Sequence, residues 1–237
     1  MILSLIIPIY DEYGNIKALT PILKDVLEHG HEVILVDSSK SRDDVFNLVS
    51  PLGLKYLKSN GTCRAQQMNE GAQIAMGDVL VFQHADVRLP KNFVKSIQEK
   101  IEEEDFNFGY FPYIFDPTTF WLNINAYFTK KKNFAGAGGG DQTHFMTKEL
   151  YKQLGGYNEN FVVMEDFDFV RRIRKLGIKP ALITEPAVVS ARKYQQHSYF
   201  KINLFNLIAM LMFKLNFDPN KIKQVYSWGL HKVKSYR

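Results

Sequence analysis

The stretch Asn60–Pro90, NGTCRAQQMNEGAQIAMGDVLVFQHADVRLP, decides the fold class. Within it, Thr62–Met76 places Ala65, Met68, Ala72 and Ala75 at helical spacing and carries Arg64 and Asn69. Gly77-Asp78 marks a turn, and Val79–Phe82 is a short apolar run of the kind buried in a parallel sheet. That run ends in His84-Ala85-Asp86. Strand side chains repeat every second residue, so His84 and Asp86 leave the sheet on the same side. Open α/β sheets bind ligands outside the carboxyl ends of their strands, which makes this pair a candidate site.

Working outward, Leu3–Ile9, Val33–Val36 and Leu54–Leu57 read as further short strands. Ile16, Leu19, Leu23, Val26 and Leu27 give Ile16–His29 a helical face. Pro21 interrupts it, so either Thr20 caps a helix beginning at Pro21 or the helix kinks there. Arg42–Ser50 and Asn92–Glu104 complete a strand and helix alternation, which predicts a doubly wound, mostly parallel sheet flanked by helices. Beyond Asp105 the chain predicts one aromatic strand over Phe106–Phe115, a helix over Thr119–Thr129, and a loop over Phe134–Asp141 containing Gly138-Gly139-Gly140. Helices Thr147–Leu154 and Glu165–Leu176 each stop at glycine, and residues 180–189 supply one more strand. No repeat or linker divides the chain. Residues 1–190 read as one domain, with 191–237 as a basic, helical extension.

A chain of 237 residues, 46% hydrophobic and 23% charged, can bury a full core and excludes a disordered class. Cys63 is the only cysteine, so no internal disulfide forms and a reducing, cytoplasmic setting is expected. The start, MILSLIIPIYDE, lacks a basic region and a cleavage site and reads as a strand, not a signal peptide. Charge is uneven. Residues 191–237 hold nine Lys or Arg against Asp218 alone, a net +8, which leaves −3 of the total +5 for residues 1–190. Nucleic acid or an anionic membrane surface would each suit such a tail. Tyr199–Phe217 is apolar, but its charge-free core, Ile202–Phe213, is twelve residues long. That is too short for a bilayer core of roughly 30 Å. An amphipathic helix packed on the domain is the first expectation, and docking at the inner face of a membrane the second.

No GxGxxG follows the first strand and no GxxxxGK[ST] occurs, so the dinucleotide and P-loop classes lose their support. Asp37, at the end of the strand VILV, either serves a turn or accepts from a base N–H or a ribose hydroxyl. Asp86 suits Mg²⁺ or Mn²⁺, and His84 suits Mn²⁺ better than Mg²⁺. Glu165-Asp166-Phe167-Asp168 opens a helix, where carboxylates complement the dipole; one held near a pocket can instead take a proton from an attacking hydroxyl. Gly136–Gly140, followed by Asp141 and Gln142, permits close approach of the backbone to a ligand. His197 lies in the basic segment Ala191–His197, read as a loop able to close over a diphosphate.

Together, IIPIYDE (6–12), VDSS (36–39), RAQQMNEGAQIAMGDVLVFQHADVRLP (64–90), GGDQ (139–142) and MEDFDF (164–169) resemble the family 2 glycosyltransferases of the GT-A fold. These enzymes move a sugar from a nucleotide diphosphate donor. The wording QMNEGA, HADVRLP, GGDQ and SARKYQQH is similar to the subgroup of radical-SAM/selenodomain-associated transferases. The resemblance implies that Pro8, Tyr10, Glu12 and Asp37 border the nucleoside, with Arg64 and Asn69 on the nucleotide side. It implies Asp86 as the metal aspartate, with His84 and His197 as further ligands of Mn²⁺ or Mg²⁺. Asp166 is then the base of an inverting displacement, and Gly139, Gly140, Asp141, Gln142 and Glu165 face the donor sugar or the acceptor. The expected partners are a UDP-sugar and an acceptor left open, lipid-linked ones included, with no nucleic acid. One departure stands out: the family usually carries Asp-x-Asp where this chain has His84-Ala85-Asp86. It points to weaker or altered metal use, or to a sugar-nucleotide binder without turnover. A nucleotidyltransferase, consuming a nucleoside triphosphate, is the rival enzyme reading.

Overall fold

The computed structural model describes residues 1–61, 63–131 and 138–229. Among the described residues the strands are β1 (Leu3–Ile9), β2 (Glu32–Ser38), β3 (Lys55–Ser59), β4 (Val79–Phe82), β5 (Val87–Arg88), β6 (Phe108–Tyr110), β7 (Tyr113–Asp116), β8 (His144–Thr147), β9 (Ala181–Leu182) and β10 (Ala187–Ser190). The helices are α1 (Tyr13–Glu28), α2 (Val45–Val49), α3 (Arg64–Ile74), α4 (Phe93–Gln98), α5 (Phe120–Thr129), α6 (Lys148–Leu154), α7 (Glu165–Lys175), α8 (Arg192–Gln196), α9 (Tyr199–Lys214) and α10 (Pro219–Gly229).

The main sheet has the order β3-β2-β1-β4-β8-β6-β9. Strands β3, β2, β1 and β4 are mutually parallel, β8 runs against both its neighbours, and β6 and β9 are parallel. A smaller sheet, β5-β10-β7, carries the crossing segments. Alternation along β1 explains its two-sided burial. Leu5, Ile7 and Ile9 enter the core shared with α1 and α4, while Ile6 enters the core under α3 and α7. Gly71 lets α3 lie directly on the sheet, since a Cβ there would strike Ile6 and Val36.

The differences from the sequence reading have local causes. The helix does not start at Pro21. It runs from Tyr13 through Pro21, and the Thr20 hydroxyl donates back to the Ile16 carbonyl instead of capping. Phe106–Phe115 divides into β6 and β7, which join different sheets on either side of Phe111-Pro112. Residues 180–189 divide in the same way into β9 and β10 around the turn ending at Pro186. Asn92–Glu104 becomes α4 followed by a π-helical turn over Glu99–Glu103. Strand β8 is an addition to the sequence reading, since its four residues carry no clear alternation. Helices α9 and α10 pack on the domain through Ala209, Phe213 and Ile222 against Phe161, Val163 and Phe167. Among the described residues no helix is long and apolar enough to cross a membrane.

Candidate functional site

The parallel register brings the carboxyl ends of three strands to one rim. Ile9 of β1 lies beside Asp37 of β2, and Ile6 beside Phe82 of β4. Tyr10, Asp11 and Glu12, Asp37, and His84 with Asp86 therefore leave the sheet together. Pro8 sits within β1 opposite Val36. Asp11, at φ 51°, makes the turn out of β1; its N–H donates to Ser41 Oγ (2.8 Å), and its carboxylate accepts from the Arg42 N–H (2.7 Å).

Asp37 is fully buried. Its Oδ2 accepts from the Tyr56 hydroxyl (2.5 Å) and Lys58 Nζ (2.8 Å), while Oδ1 is buried with no hydrogen-bond partner among the described residues. Buried polar atoms are rarely left so, and a lone pair held at the rim suits a donor from outside the chain. Glu12 accepts from Asn15 Nδ2 (2.5 Å) and faces Arg192 Nη2 at 3.7 Å. Burial raises its pKa, and the Asp86 charge adds to the rise while Arg192 and Asn15 oppose it.

Across the rim, five ionisable groups converge. Arg64, the first residue of α3, places Nη1 2.8 Å from His84 Nε2 and 3.3 Å from Nδ1, and its Nε lies 3.4 Å from Glu165 Oε1. His84 Nδ1 is 3.6 Å from Asp141 Oδ1. Glu165 and Asp166 open α7 and are both buried. Met164 just before them is left-handed, φ 68°, a conformation costly for a non-glycine residue, and it aims the start of α7 into the cluster. Burial raises the pKa of Asp166; Asp141 adds to the rise, and His84, Arg64 and the Gly140 N–H oppose it. Burial also pushes Glu165 up to about 7, against the pull of Arg64. Asp86 is raised by burial and then by Asp141. At Asp141 burial acts upward but is outweighed by His84, then Lys193 and Arg64, and the carboxyl falls below its ordinary value. Asp168, third of the acids, turns away into bonds with Arg171 Nη2 (2.8 Å) and Arg172 Nε (2.9 Å).

Gly140 explains the glycine run, of which Gly136 lies outside the described residues. A Cβ on Gly140 would occupy the space of the Asp166 carboxylate and the His84 ring. A Cβ on Gly139 would lie 3.0 Å from the Phe167 ring, a tight contact without overlap. Three expected residues are not joined to the cluster. Asn69 Oδ1 accepts from the Tyr151 hydroxyl (2.6 Å) and the Tyr157 N–H (2.9 Å), and its Nδ2 donates to the Tyr157 carbonyl (2.9 Å) and Glu159 (2.8 Å). It clamps the loop after α6 to α3. Gln142 accepts from the Gly138 N–H (2.6 Å) and donates to the Phe111 and Thr129 carbonyls (3.2 Å each), so its amide is spent on backbone. His197 follows α8, a short helix where a loop was expected. Among the described residues its buried Nε2 has no partner, and no hydrogen bond or ion pair joins it to His84 or Asp86.

Arg192 and Lys193, inside the basic segment, bring their charges to Asp86 and Asp141, while the phenols of Tyr194 and Tyr113 are raised by burial and then by Asp141. Only the basic run SARK signalled this; nothing local marked Tyr113.

A divalent cation fits this rim in part. Among the described residues no three His, Cys, Asp or Glu side chains form a metal cage. Mg²⁺-like ions are commonly held by one or two carboxylates with phosphate oxygens completing the shell, which Asp86 and Asp141 suit. His84 does not suit while Arg64 engages its Nε2.

Comparison with known proteins agrees with this architecture. Residues 4–163 match the family described as Glycosyl transferase family 2. An uncharacterised glycosyltransferase of Haemophilus influenzae is 27% identical over 199 residues, covering 78% of this chain and 66% of its own length, just under two thirds. The structure of S. aureus TarS 1–349 superposes with a TM-score of 0.66 at 16% identity, covering 97% of this chain and 71% of that one. Mannosyltransferase PcManGT from Pyrobaculum calidifontis, in complex with GDP-Man and Mn²⁺, gives 0.64 at 20% identity, covering 98% and 70%. These structures share the fold, a GT-A arrangement of mostly parallel sheet between helices. With well over half its length matched, the chain belongs to glycosyl transferase family 2.

Proposed function

We propose that the chain is a glycosyltransferase that moves a sugar from a nucleoside diphosphate donor, UDP-linked in preference, to an acceptor hydroxyl with inversion. The observation that carries the reading is the meeting of Asp166 with His84, Arg64 and Asp141 on the rim where Asp37 and Asp86 emerge. TarS is also known in complex with UDP and with UDP-GlcNAc, which favours uridine over guanosine as the first base to test.

In this reading Asp37 Oδ1 accepts from the base, and Pro8, Tyr10 and Glu12 wall the nucleoside. Arg64 donates to the diphosphate, exchanging its contact with His84 for phosphate oxygens. Asp166 takes the acceptor hydroxyl proton as the acceptor oxygen bonds to the anomeric carbon; the bond from that carbon to the diphosphate breaks, and its electron pair leaves with the nucleoside diphosphate. The raised pKa of Asp166 suits a proton acceptor, while Glu165, held by Arg64, orients the start of α7. A divalent cation held by Asp86 and Asp141 would supply charge neutralisation for the departing diphosphate. His197 is left as a diphosphate-side candidate through its unpartnered Nε2, and Gly139 and Gly140 as the backbone floor beneath the sugar. The narrower subgroup resemblance rests on its four short segments and names no acceptor. A lipid-linked acceptor would bring with it a peripheral membrane position.

Calorimetric titration with UDP, GDP and their sugars, with and without Mn²⁺, tests the donor half; hydrolysis and transfer assays on Asp166→Asn test the chemistry. Expected are micromolar-range binding of one nucleoside diphosphate, dependent on Asp86, and loss of turnover in Asp166→Asn with donor binding retained. Equal loss of donor binding would remove Asp166 as base. Consumption of a nucleoside triphosphate with release of pyrophosphate would replace the reading with nucleotidyl transfer, and binding without turnover in the parent chain would leave a sugar-nucleotide binder.

A further inference from the structure

Helix α5 exposes Phe120, Trp121, Tyr127 and Phe128, spaced along one helical face. Helix α9 does the same with Phe200, Leu204, Leu207 and Leu211. The two stripes meet. Trp121 lies 5.4 Å from the Phe200 ring and 5.8 Å from the Tyr199 ring, and Asn125 donates to Asn203 beneath them (3.2 Å). Phe120 and Phe200 are 73% and 64% exposed, so this is one continuous apolar surface and not a set of scattered side chains. Contiguous patches of this kind mark interaction sites on soluble proteins.

The rim of the patch selects its occupant. Lys130 and Lys131, just after α5, and Lys201 and Lys214 of α9 are exposed, and neither residues 118–131 nor 198–217 contain an acidic residue. Lys131 lies over the Tyr127 ring at 4.9 Å. Two copies meeting through this face would bring like charges together. Aromatic rings, leucines and lysines on one face are the composition of elements that lie in a membrane interface, where rings occupy the headgroup level and lysines meet anionic lipid. We infer that the face formed by α5 and α9 docks on an anionic lipid bilayer. The inference rests on the proposed transferase reading for its purpose: the Thr129 carbonyl at the end of α5 accepts from Gln142, the neighbour of Asp141, and Tyr199 donates to Asn125 with its ring 5.9 Å from that of Tyr194, so the face adjoins the rim that would receive a lipid-borne acceptor.

The test uses the full chain carrying Trp228→Phe, which leaves Trp121 as the one tryptophan. Flotation with phosphatidylcholine vesicles, with and without phosphatidylglycerol, is read alongside Trp121 fluorescence. Expected are a blue shift and flotation with the anionic vesicles that weaken as salt rises. At about five-fold per lysine near an anionic surface, Lys131→Gln with Lys201→Gln lowers the partition roughly thirty-fold. Leu204→Ser with Leu207→Ser abolishes it, with unfolding temperature and far-ultraviolet dichroism checking that the fold is kept. Absence of flotation, or equal binding to neutral vesicles without salt dependence, overturns the inference. So does a dimer in light scattering that Leu204→Ser with Leu207→Ser dissociates. UDP titration on the same samples separates the two proposals: nucleotide binding without vesicle binding defeats only this one, and vesicle binding without nucleotide binding defeats only the transferase reading.

Discussion

Replacing Glu165 by Gln weighs the electrostatics of the cluster directly. The side chain is 3% exposed, with Arg64 Nε at 3.4 Å. Burial pushes its carboxyl from 4.5 to about 7, with Arg64 pulling down and Asp166 pushing up. Between those values the folded chain keeps a proton that the unfolded chain has released, so stability falls as pH rises through this interval, and the loss is complete above it. At about 1.4 kcal/mol per pH unit, the interval corresponds to about 3 kcal/mol. Gln has the shape of the protonated acid and carries no charge. At pH 4 the substitution therefore leaves stability nearly unchanged, and at pH 8 it stabilises the chain by about 3 kcal/mol. Urea unfolding of both proteins at the two pH values, with equal m-values, measures the difference. A variant less stable than the parent at both pH values would refute the reasoning, because it would mean that Arg64 holds Glu165 ionised throughout.

Gly140→Ala places a methyl where Asp166 and His84 meet, and it lowers turnover at least tenfold with donor affinity reduced by a smaller factor, measured by initial rates and calorimetry. Asn69→Ala strands the Tyr151 hydroxyl and the Tyr157 N–H and carbonyl; it costs about 2–3 kcal/mol in urea unfolding, while nucleotide affinity stays within a factor of about two. The rate of transfer falls on the acid side at a pH above that of an ordinary aspartate, since Asp166 acts deprotonated and burial raises its pKa; a pH profile of kcat that is flat down to pH 4 would contradict this.

Much of the first half of the fold was legible because its strands are bounded on both sides. Leu3–Ile9 and Val79–Phe82 match β1 and β4 residue for residue, the first a mostly apolar run closed by Tyr10-Asp11-Glu12 and the second an unbroken apolar run opened by Gly77-Asp78. Glycines after Leu154 and Leu176 marked the helix ends, and Gly155 and Gly177 do take left-handed conformations. Past Asp105 the strands are two to four residues long and pair across large sequence separations. No local period can reveal such pairing, so β8 was missed and two double strands were read as single ones. Within the site, Asp37, His84, Asp86, Asp141, Glu165 and Asp166 sat at strand ends or helix starts, places where position itself suggests a ligand. Asn69 and Gln142 sat among them in sequence, yet their amides close internal backbone bonds. A polar residue beside a motif looks the same whether it grips a ligand or its own loop, and only the surrounding carbonyls distinguish the two.

The reversed strand β8 has a consequence for how the rim can change. Strands β1, β2 and β4 reach the rim by leaving the sheet, whereas the segment 138–143 reaches it by entering β8. The groove thus has two walls of different origin. One is assembled entirely from residues 8–86, and the other from 138–197, with Asp166 and Asp141 on the second wall and Asp37 on the first. Insertions before β8 or after α7 can reshape the second wall while leaving the parallel register of β2, β1 and β4 untouched. Because Asp141 and Asp166 both stand on that second wall, exchange of residues 138–197 between relatives would alter the ionisable cluster while the end of β2 with Asp37 stays as it is.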